Sequence, residues 1–362
     1  MIFMQLGLHT FLNSMRLEFL MYFSIGPKER LKDFFNYRAE YERVKNALKR
    51  GERIIAIYGL RRVGKTSLMN ILFNNLDGIN IWIDGRIVEN ANQLVRMVYS
   101  GIKRKGGIFG SIQSIGISIA GLQFSFEKEI DEESIKRIKN VHVFIDEAQY
   151  AHSGEVAKAL AYLYDRLPNV QTIISGSEVR MLREVLGIKR AEHPLFGRRV
   201  ELIKMPKLDN KKAKEFLRLG FKQLNVDVEE KELDKVVEKL DGLIGWLTLY
   251  GYEKAIANTT DALKKVEGIA AAIVSKEFRK FLEGKKNKQL YIAIIKYAKN
   301  RKWKELLSIV RDELGKVNRS SFSRALKELM EYSFIEKHID GSYFYADPLL
   351  RDIAFKGIRE FL

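Results

Sequence analysis

The chain has 362 residues, of which 46% are apolar and 30% charged, with a formal net charge of +17. That is the composition of a folded chain with room for about two or three domains, not of a disordered one. It holds no cysteine, which excludes a disulfide framework, thiol catalysis and cysteine-ligated metal. The histidines (His9, His142, His152, His193, His338) are scattered without ligand spacing, which argues against a transition-metal enzyme. The positive balance points to a polyanionic partner, with solubility chemistry as the plainer alternative.

Residues 1–25 are rich in Phe and Leu, but His9, Asn13, Arg16 and Glu18 break the run. No span reaches the roughly 18 uncharged apolar residues of a membrane helix, and the basic start of a signal peptide is missing. No stable membrane insertion is expected, and the address read from this is cytoplasmic. The segment reads as an N-terminal extension, with Met21 a second plausible start, or else as an amphipathic helix. Glu29 to Lys49 predicts one or two helices, with Leu31, Phe34, Phe35, Tyr37, Tyr41, Val44 and Leu48 at three/four spacing.

Ile54 to Tyr58 is a short apolar strand that runs into Gly59-Leu60-Arg61-Arg62-Val63-Gly64-Lys65-Thr66-Ser67 and then a helix. Strand, G-x-x-x-x-G-K-T and helix together make a phosphate-binding loop. Gly59 and Gly64 let the backbone curl so that successive N–H groups face anionic oxygens, and the helix N-terminus adds partial positive charge. Lys65 is expected to reach the β- and γ-phosphates, and Thr66 to offer its hydroxyl to magnesium. The expected ligand is a nucleoside triphosphate, with Gly59 through Ser67 as its binding loop.

Gly78 to Asp84 predicts a second buried strand, and Asn90 to Lys103 a helix with Leu94, Val95 and Val98 on one face. Ile108 to Phe126 alternates apolar with small polar residues around Gly110, Gly116 and Gly121, the pattern of a β-hairpin inserted in the domain. Val141 to Asp146 predicts a central strand that ends in two carboxylates, Asp146 and Glu147. Behind a phosphate loop, Asp146 is the expected magnesium partner and Glu147 the expected general base toward water. After helix Glu155 to Leu167 comes strand Val170 to Ile174, tipped by Ser175-Gly176-Ser177. Ser175 or Ser177 is the candidate γ-phosphate sensor, or both simply cap the helix Glu178 to Leu186. Arg198 or Arg199, before a fifth strand over Val200 to Lys204, is the candidate arginine for the γ-phosphate, in cis or from a neighbouring subunit.

Asp209 to Leu282 reads as helices throughout, over 212–224, 230–240, 245–257 and 261–282, and Gly284 to Lys288 as a linker. Lys285 to Leu362 carries more than its share of the positive charge. It reads as three helices, then short strands at Phe334 to His338 and Tyr343 to Tyr345 around Asp340-Gly341, the order of a winged helix. In its third helix Arg319, Ser320, Ser323, Arg324 and Lys327 are expected to face outward toward nucleic acid, or else toward a protein.

In this order of parts the chain resembles the archaeal ATPase family, AAA+-related P-loop ATPases close to the STAND signalling ATPases and the origin-recognition initiators. The resemblance rests on Pro27-Lys28, Lys32 to Asn36, the loop Gly59 to Thr66, Phe144 to Gln149, Ser175 to Glu178, Pro194 to Arg198 and Gly245 to Thr248. It implies an α/β P-loop NTPase fold with a five-stranded parallel sheet and a helical lid closing on ATP, and it supports Arg198 as the arginine of a P-L-x-G-R element. There are two departures. Tyr37 follows Asn36 where the family carries Arg, and Asp241-Gly242-Leu243-Ile244 has no proline before Gly245. Both segments lie where such proteins hold the adenine, so the resemblance bears more on phosphate than on base.

The expected organisation is an extension over 1–25, an ATPase domain over 26–206 with the hairpin near 108–126, a lid over 207–284 and a winged helix over 285–362. The expected function is an ATP- and Mg2+-dependent hydrolytic switch whose lid motion is coupled to a winged helix on double-stranded DNA or a protein. The alternative is a nucleotide-dependent binding module with negligible turnover. Monomer and nucleotide-dependent oligomer are both compatible with this reading.

Overall fold

The computed structural model describes residues 22–106, 113–119, 122–128, 132–151, 154–177, 185–187 and 191–350. Residues 1–21 of the expected extension and most of the helix expected after Ser177 lie outside the described residues. The chain forms two compact units. Among the described residues one comprises Lys28–Gly59 and Lys65–Met205, and the other 22–27, Leu60–Gly64 and 206–350.

The first unit is built on a parallel sheet of five strands in the order β2-β5-β6-β1-β7. These are β1 (Ile54–Gly59), β2 (Ile79–Asp84), β5 (Val141–Asp146), β6 (Val170–Ser177) and β7 (Glu201–Lys204). Central strands covered on both faces need near-continuous apolar sequence, and every residue of β5 is buried. The register sets Asp84 level with Asp146 and Gly59 level with Ser177, so the strands deliver their polar tips to one edge. Helices α1 (Arg38–Lys49), α2 (Lys65–Asn75), α3 (Ala91–Gly106), α4 (Glu132–Lys136) and α5 (Glu155–Arg166) belong to the same unit. Leu94, Val95 and Val98 of α3 join Leu160 and Leu163 of α5 in the core beside the sheet. Arg53 ties the other edge: its guanidinium donates to the carbonyls of Tyr164 at 2.6 Å, Leu163 at 3.2 Å and Leu167 at the end of α5.

The expected hairpin forms as β3 (Gln113–Ile119) and β4 (Leu122–Lys128), antiparallel with Ile119 opposite Leu122. Its second strand runs on to Lys128, two residues past the Phe126 at which the alternation stops. The stretch read as helix from Glu29 is instead a single 3-10 turn at Leu31–Asp33 before α1. Asn36, at φ +70°, breaks the helical path between them.

The second unit carries α6 (Asn210–Gln223), α7 (Glu230–Leu240), α8 (Ile244–Ala255) and α9 (Ala262–Leu282). Asp209 caps α6 by accepting from the Lys212 N–H at 2.8 Å, and Asp241, at φ +54°, ends α7. Phe23 is almost wholly buried here, edge-on to Phe216 and Phe221. Phe23, assigned to the extension, is therefore a core residue, because its ring fills a notch left by Gly220 and Gly251, while Ile25 to Pro27 are exposed.

Helices α10 (Lys288–Tyr297), α11 (Trp303–Leu314) and α12 (Arg319–Glu331) follow, with β8 (Arg301–Lys302), β9 (Ile335–Lys337) and β10 (Ser342–Tyr345) in the order β8-β10-β9. The strand pairs are antiparallel, and Gly341 turns the hairpin at φ +86°. Gly284 to Lys288, read as a linker, is held in place: Lys285 Nζ donates to Glu328 at 2.6 Å and lies 4.9 Å from the Phe281 ring centre.

Candidate phosphate-binding site

In open parallel sheets ligands sit outside the carboxyl ends of the strands, and there β1, β5 and β6 converge. Lys65 opens α2 directly after the loop and is only 6% exposed, with Nζ donating to the Gly59 carbonyl at 3.1 Å. Thr66 Oγ1 donates to Asp146 Oδ2 at 3.0 Å. The other oxygen, Asp146 Oδ1, accepts from the Ser175 hydroxyl and from the Glu147 N–H at 3.1 Å. Ser67 Oγ accepts from the Lys28 N–H at 3.0 Å, tying the N-terminal segment to the first turn of α2.

A hydroxyl and a carboxylate this close are hard oxygen donors of the kind magnesium takes, and a buried ammonium beside them suits phosphate. The residues fit a magnesium–nucleotide: Thr66 and Asp146 would hold the cation and Lys65 the phosphates. Ser175, expected to sense the γ-phosphate, is fully buried with its hydroxyl turned onto Asp146. Its observed contact orients the carboxylate.

Glu147 leaves the strand with φ +54°, a left-handed conformation that costs a side-chain-bearing residue about 1–2 kcal/mol. Strain of this kind gathers at functional sites. The turn brings its N–H back to Asp146 and, at 3.3 Å, to Ser175 Oγ. Gln149, quoted in the sequence only as part of a motif, donates from Nε2 to the Glu147 carboxylate and accepts from the Ser177 N–H at 3.3 Å. Gly85 abuts the same turn, and a Cβ there would lie 2.7 Å from the Glu147 carbonyl oxygen.

Residues 60–64 of the loop group with the second unit. Arg62 at φ +64° and Gly64 at φ +94° shape the curl. Their neighbours Leu60 and Val63 are buried, so these positions offer an anion their backbone. The Arg61 and Arg62 side chains pair with Glu277, and Arg62 Nη1 also lies 3.5 Å from Asp347. Burial raises the Asp347 carboxyl above its ordinary range, against the pull of Arg62 and Trp246.

Arg198 does not join the Lys65–Asp146 group. It precedes β7, whose strand runs parallel to β1, and it bonds Asp165 at the end of α5, at 3.1 and 2.5 Å. It therefore stands at the amino ends of the strands, apart from the strand tips that carry Lys65 and Asp146. The signal was in the sequence: a residue just before a parallel strand belongs to the edge remote from the strand tips. Arg199 pairs with Glu52 at 2.8 Å at the same edge.

On α12, Arg319, Ser320, Ser323, Arg324 and Lys327 are all exposed. Two of them are also engaged within the unit. Ser320 Oγ donates to the capping Asn318 at 2.7 Å, and Ser323 Oγ accepts from Trp303 Nε1 at 3.3 Å. Among the described residues no group of three or more His, Asp or Glu forms a further metal site, and no helix is long and apolar enough to cross a membrane.

Comparison with known proteins agrees with this geometry. Residues 34–250 match the model of an ATPase domain predominantly from Archaea. The chain is similar to a Walker-type ATPase of Pyrococcus abyssi, at 26% identity and TM-score 0.75, over 92% of this chain and 99% of that one. It shares its fold with the ORC2 protein of Aeropyrum pernix, at 17% identity and TM-score 0.56, over 93% of this chain and 96% of that one. The search of functionally curated proteins returns no match. The loop after β1, the acids at the tip of β5 and the matched span make the chain a member of the archaeal ATPase-domain family.

Proposed function

We propose that this chain is an ATP-hydrolysing switch, with α6–α9 acting as a lid and α10–α12 with β8–β10 as a winged helix. One observation carries the reading: at the strand tips Lys65 donates to the Gly59 carbonyl, while the Thr66 hydroxyl and the Glu147 N–H both donate to Asp146. Lys65 would balance the charge that builds on the transferred phosphoryl group, and Glu147 would take the proton of the attacking water. Bound magnesium would draw charge from the phosphate oxygens. Ser175 and the Glu147 N–H hold Asp146 in a single orientation, so Thr66 and Asp146 meet the cation preorganised.

Steady-state ATP hydrolysis by the purified chain tests this, beside Lys65→Ala and Glu147→Gln. The expected result is turnover lost in both, with nucleotide binding kept in Glu147→Gln. Wild-type turnover in Glu147→Gln overturns the assignment of the base.

The Gln149 bond to the Glu147 carboxylate favours a second reading, a nucleotide-dependent binding module that scarcely turns over until the base is released. In either case the exposed face of α12 supports double-stranded DNA as the partner. Arg319, Arg324 and Lys327 would contact phosphates or base edges, with affinity falling steeply as salt rises. A salt-independent affinity, or none, turns the α12 face toward a protein. Arg198, engaged with Asp165 rather than with the Lys65–Asp146 group, would serve a neighbouring subunit's phosphate site.

A further inference from the structure

Two carboxylates, 70 residues apart in the chain, grip the loop residues between Gly59 and Gly64. Glu277 on α9 accepts from Arg61 and, at 2.9 Å, from Arg62 Nη2. Asp347, just past β10, faces Arg62 Nη1 at 3.5 Å and accepts from Trp246 Nε1 at 2.8 Å. The Arg62 guanidinium lies 4.3 Å from the Trp246 ring centre, and the Arg62 carbonyl accepts from the Gly245 N–H at 2.9 Å. Arg62 is thus fixed at its carbonyl, its charge and its flat face while its backbone sits in the left-handed region. A stacked arginine set between two carboxylates is specified geometry rather than loose surface pairing.

Packing alone does not need these charges. Asp347 is 8% exposed and carries a carboxylate into an apolar setting, a cost that only its partners offset. The cost falls where the loop must hold its curl.

We propose that Glu277 and Asp347 are positioning residues of the phosphate loop. By holding Arg61 and Arg62 they set the conformation of residues 60–64 and tie it to the segment 333–350. The coupling rests on the nucleotide-binding reading above. A ligand that settles the loop through Gly64 and the adjoining Lys65 then also settles the C-terminal segment, and the linkage runs equally in reverse.

Hydrogen exchange on the full chain, with and without a non-hydrolysable ATP analogue and magnesium, tests it against Glu277→Gln and Asp347→Asn. In the wild type the analogue should slow exchange in peptides covering both 60–68 and 333–350. In each variant it should slow 60–68 only, with the dissociation constant raised about tenfold, the loss of one charge-assisted bond. Should Asp347→Asn fail to fold, the partly exposed Glu277 carries the test alone. Protection of both segments in the variants, as in the wild type, overturns the proposal and leaves nucleotide binding intact. If the wild type binds no nucleotide, the functional reading fails instead. The tether is then decided by the ligand-free exchange of 60–64, which must be faster in the variants and which overturns it if unchanged.

Discussion

Gln149 reaches back two residues to donate to the carboxylate of Glu147, while its own oxygen takes the Ser177 N–H from the next strand. The side chain proposed as the base is therefore hydrogen-bonded within its own turn. Its position is set from both β5 and β6.

Replacing Gln149 by Leu should release the Glu147 carboxylate and raise basal ATP turnover about tenfold, the equivalent of one hydrogen bond to a charged group. Single-turnover kinetics with saturating nucleotide would read it. A fall in rate would mean that the amide aims the carboxylate at water.

Gly85→Ala should injure the same turn from behind. The added Cβ meets the Glu147 and Asp146 carbonyl oxygens at 2.7 and 2.9 Å and Ala148 Cα at 2.9 Å, all backbone atoms that cannot swing aside. A cost of about 1–3 kcal/mol is expected, with turnover reduced along with it. Denaturant unfolding and turnover measured on one preparation would show both, and wild-type values for both would refute the packing argument.

Lys28 gives the protein a pH signature. Burial holds its ammonium down at about 8, from an ordinary 10.5, with Asp33 pulling partly the other way. Between those values the unfolded chain keeps the proton and the folded chain does not, so this residue's contribution to stability rises as pH climbs from about 8 to 10.5. Relative to wild type, Lys28→Met should melt higher at neutral pH and lose that advantage by pH 10.5. A melting difference that stays constant across that range would rule out the buried ammonium as its cause.

Phe23 and Gly251 should behave as one unit. A Cβ on Gly251 would stand 2.3 Å from the Phe23 ring, and one on Gly220 would stand 2.2 Å from it. Gly251→Ala should therefore destabilise strongly, and Phe23→Ala by about 3–5 kcal/mol. The double variant should lose at least about 1 kcal/mol less than the two losses combined, because removing the ring removes the clash. Simple additivity in urea unfolding would dispose of the wedge.

The sheet and the loop were legible because their signals are local: Ile54 to Tyr58 and Val141 to Ile145 are apolar runs that end in residues with one obvious use. The five parallel strands and the helices after Asp209 followed from periodicity and from the resemblance. What escaped depends on long range or on too few residues. Strand β8 is two exposed cations, Arg301 and Lys302, with no alternation to announce it. Glu277 and Asp347 looked like any surface acid until folding set them on Arg61 and Arg62. Phe23 was read with the extension around it, since only the glycines at 220 and 251 reveal its socket.

The left-handed backbone at Glu147 sets two selections against each other. Glycine adopts that conformation at less cost, and asparagine adopts it more readily than glutamate, so a library of this chain sorted only for survival on heating should collect both at position 147. Every such clone would have traded away the carboxylate. If Glu147 is the base proposed above, heat tolerance and turnover trade against each other at this position.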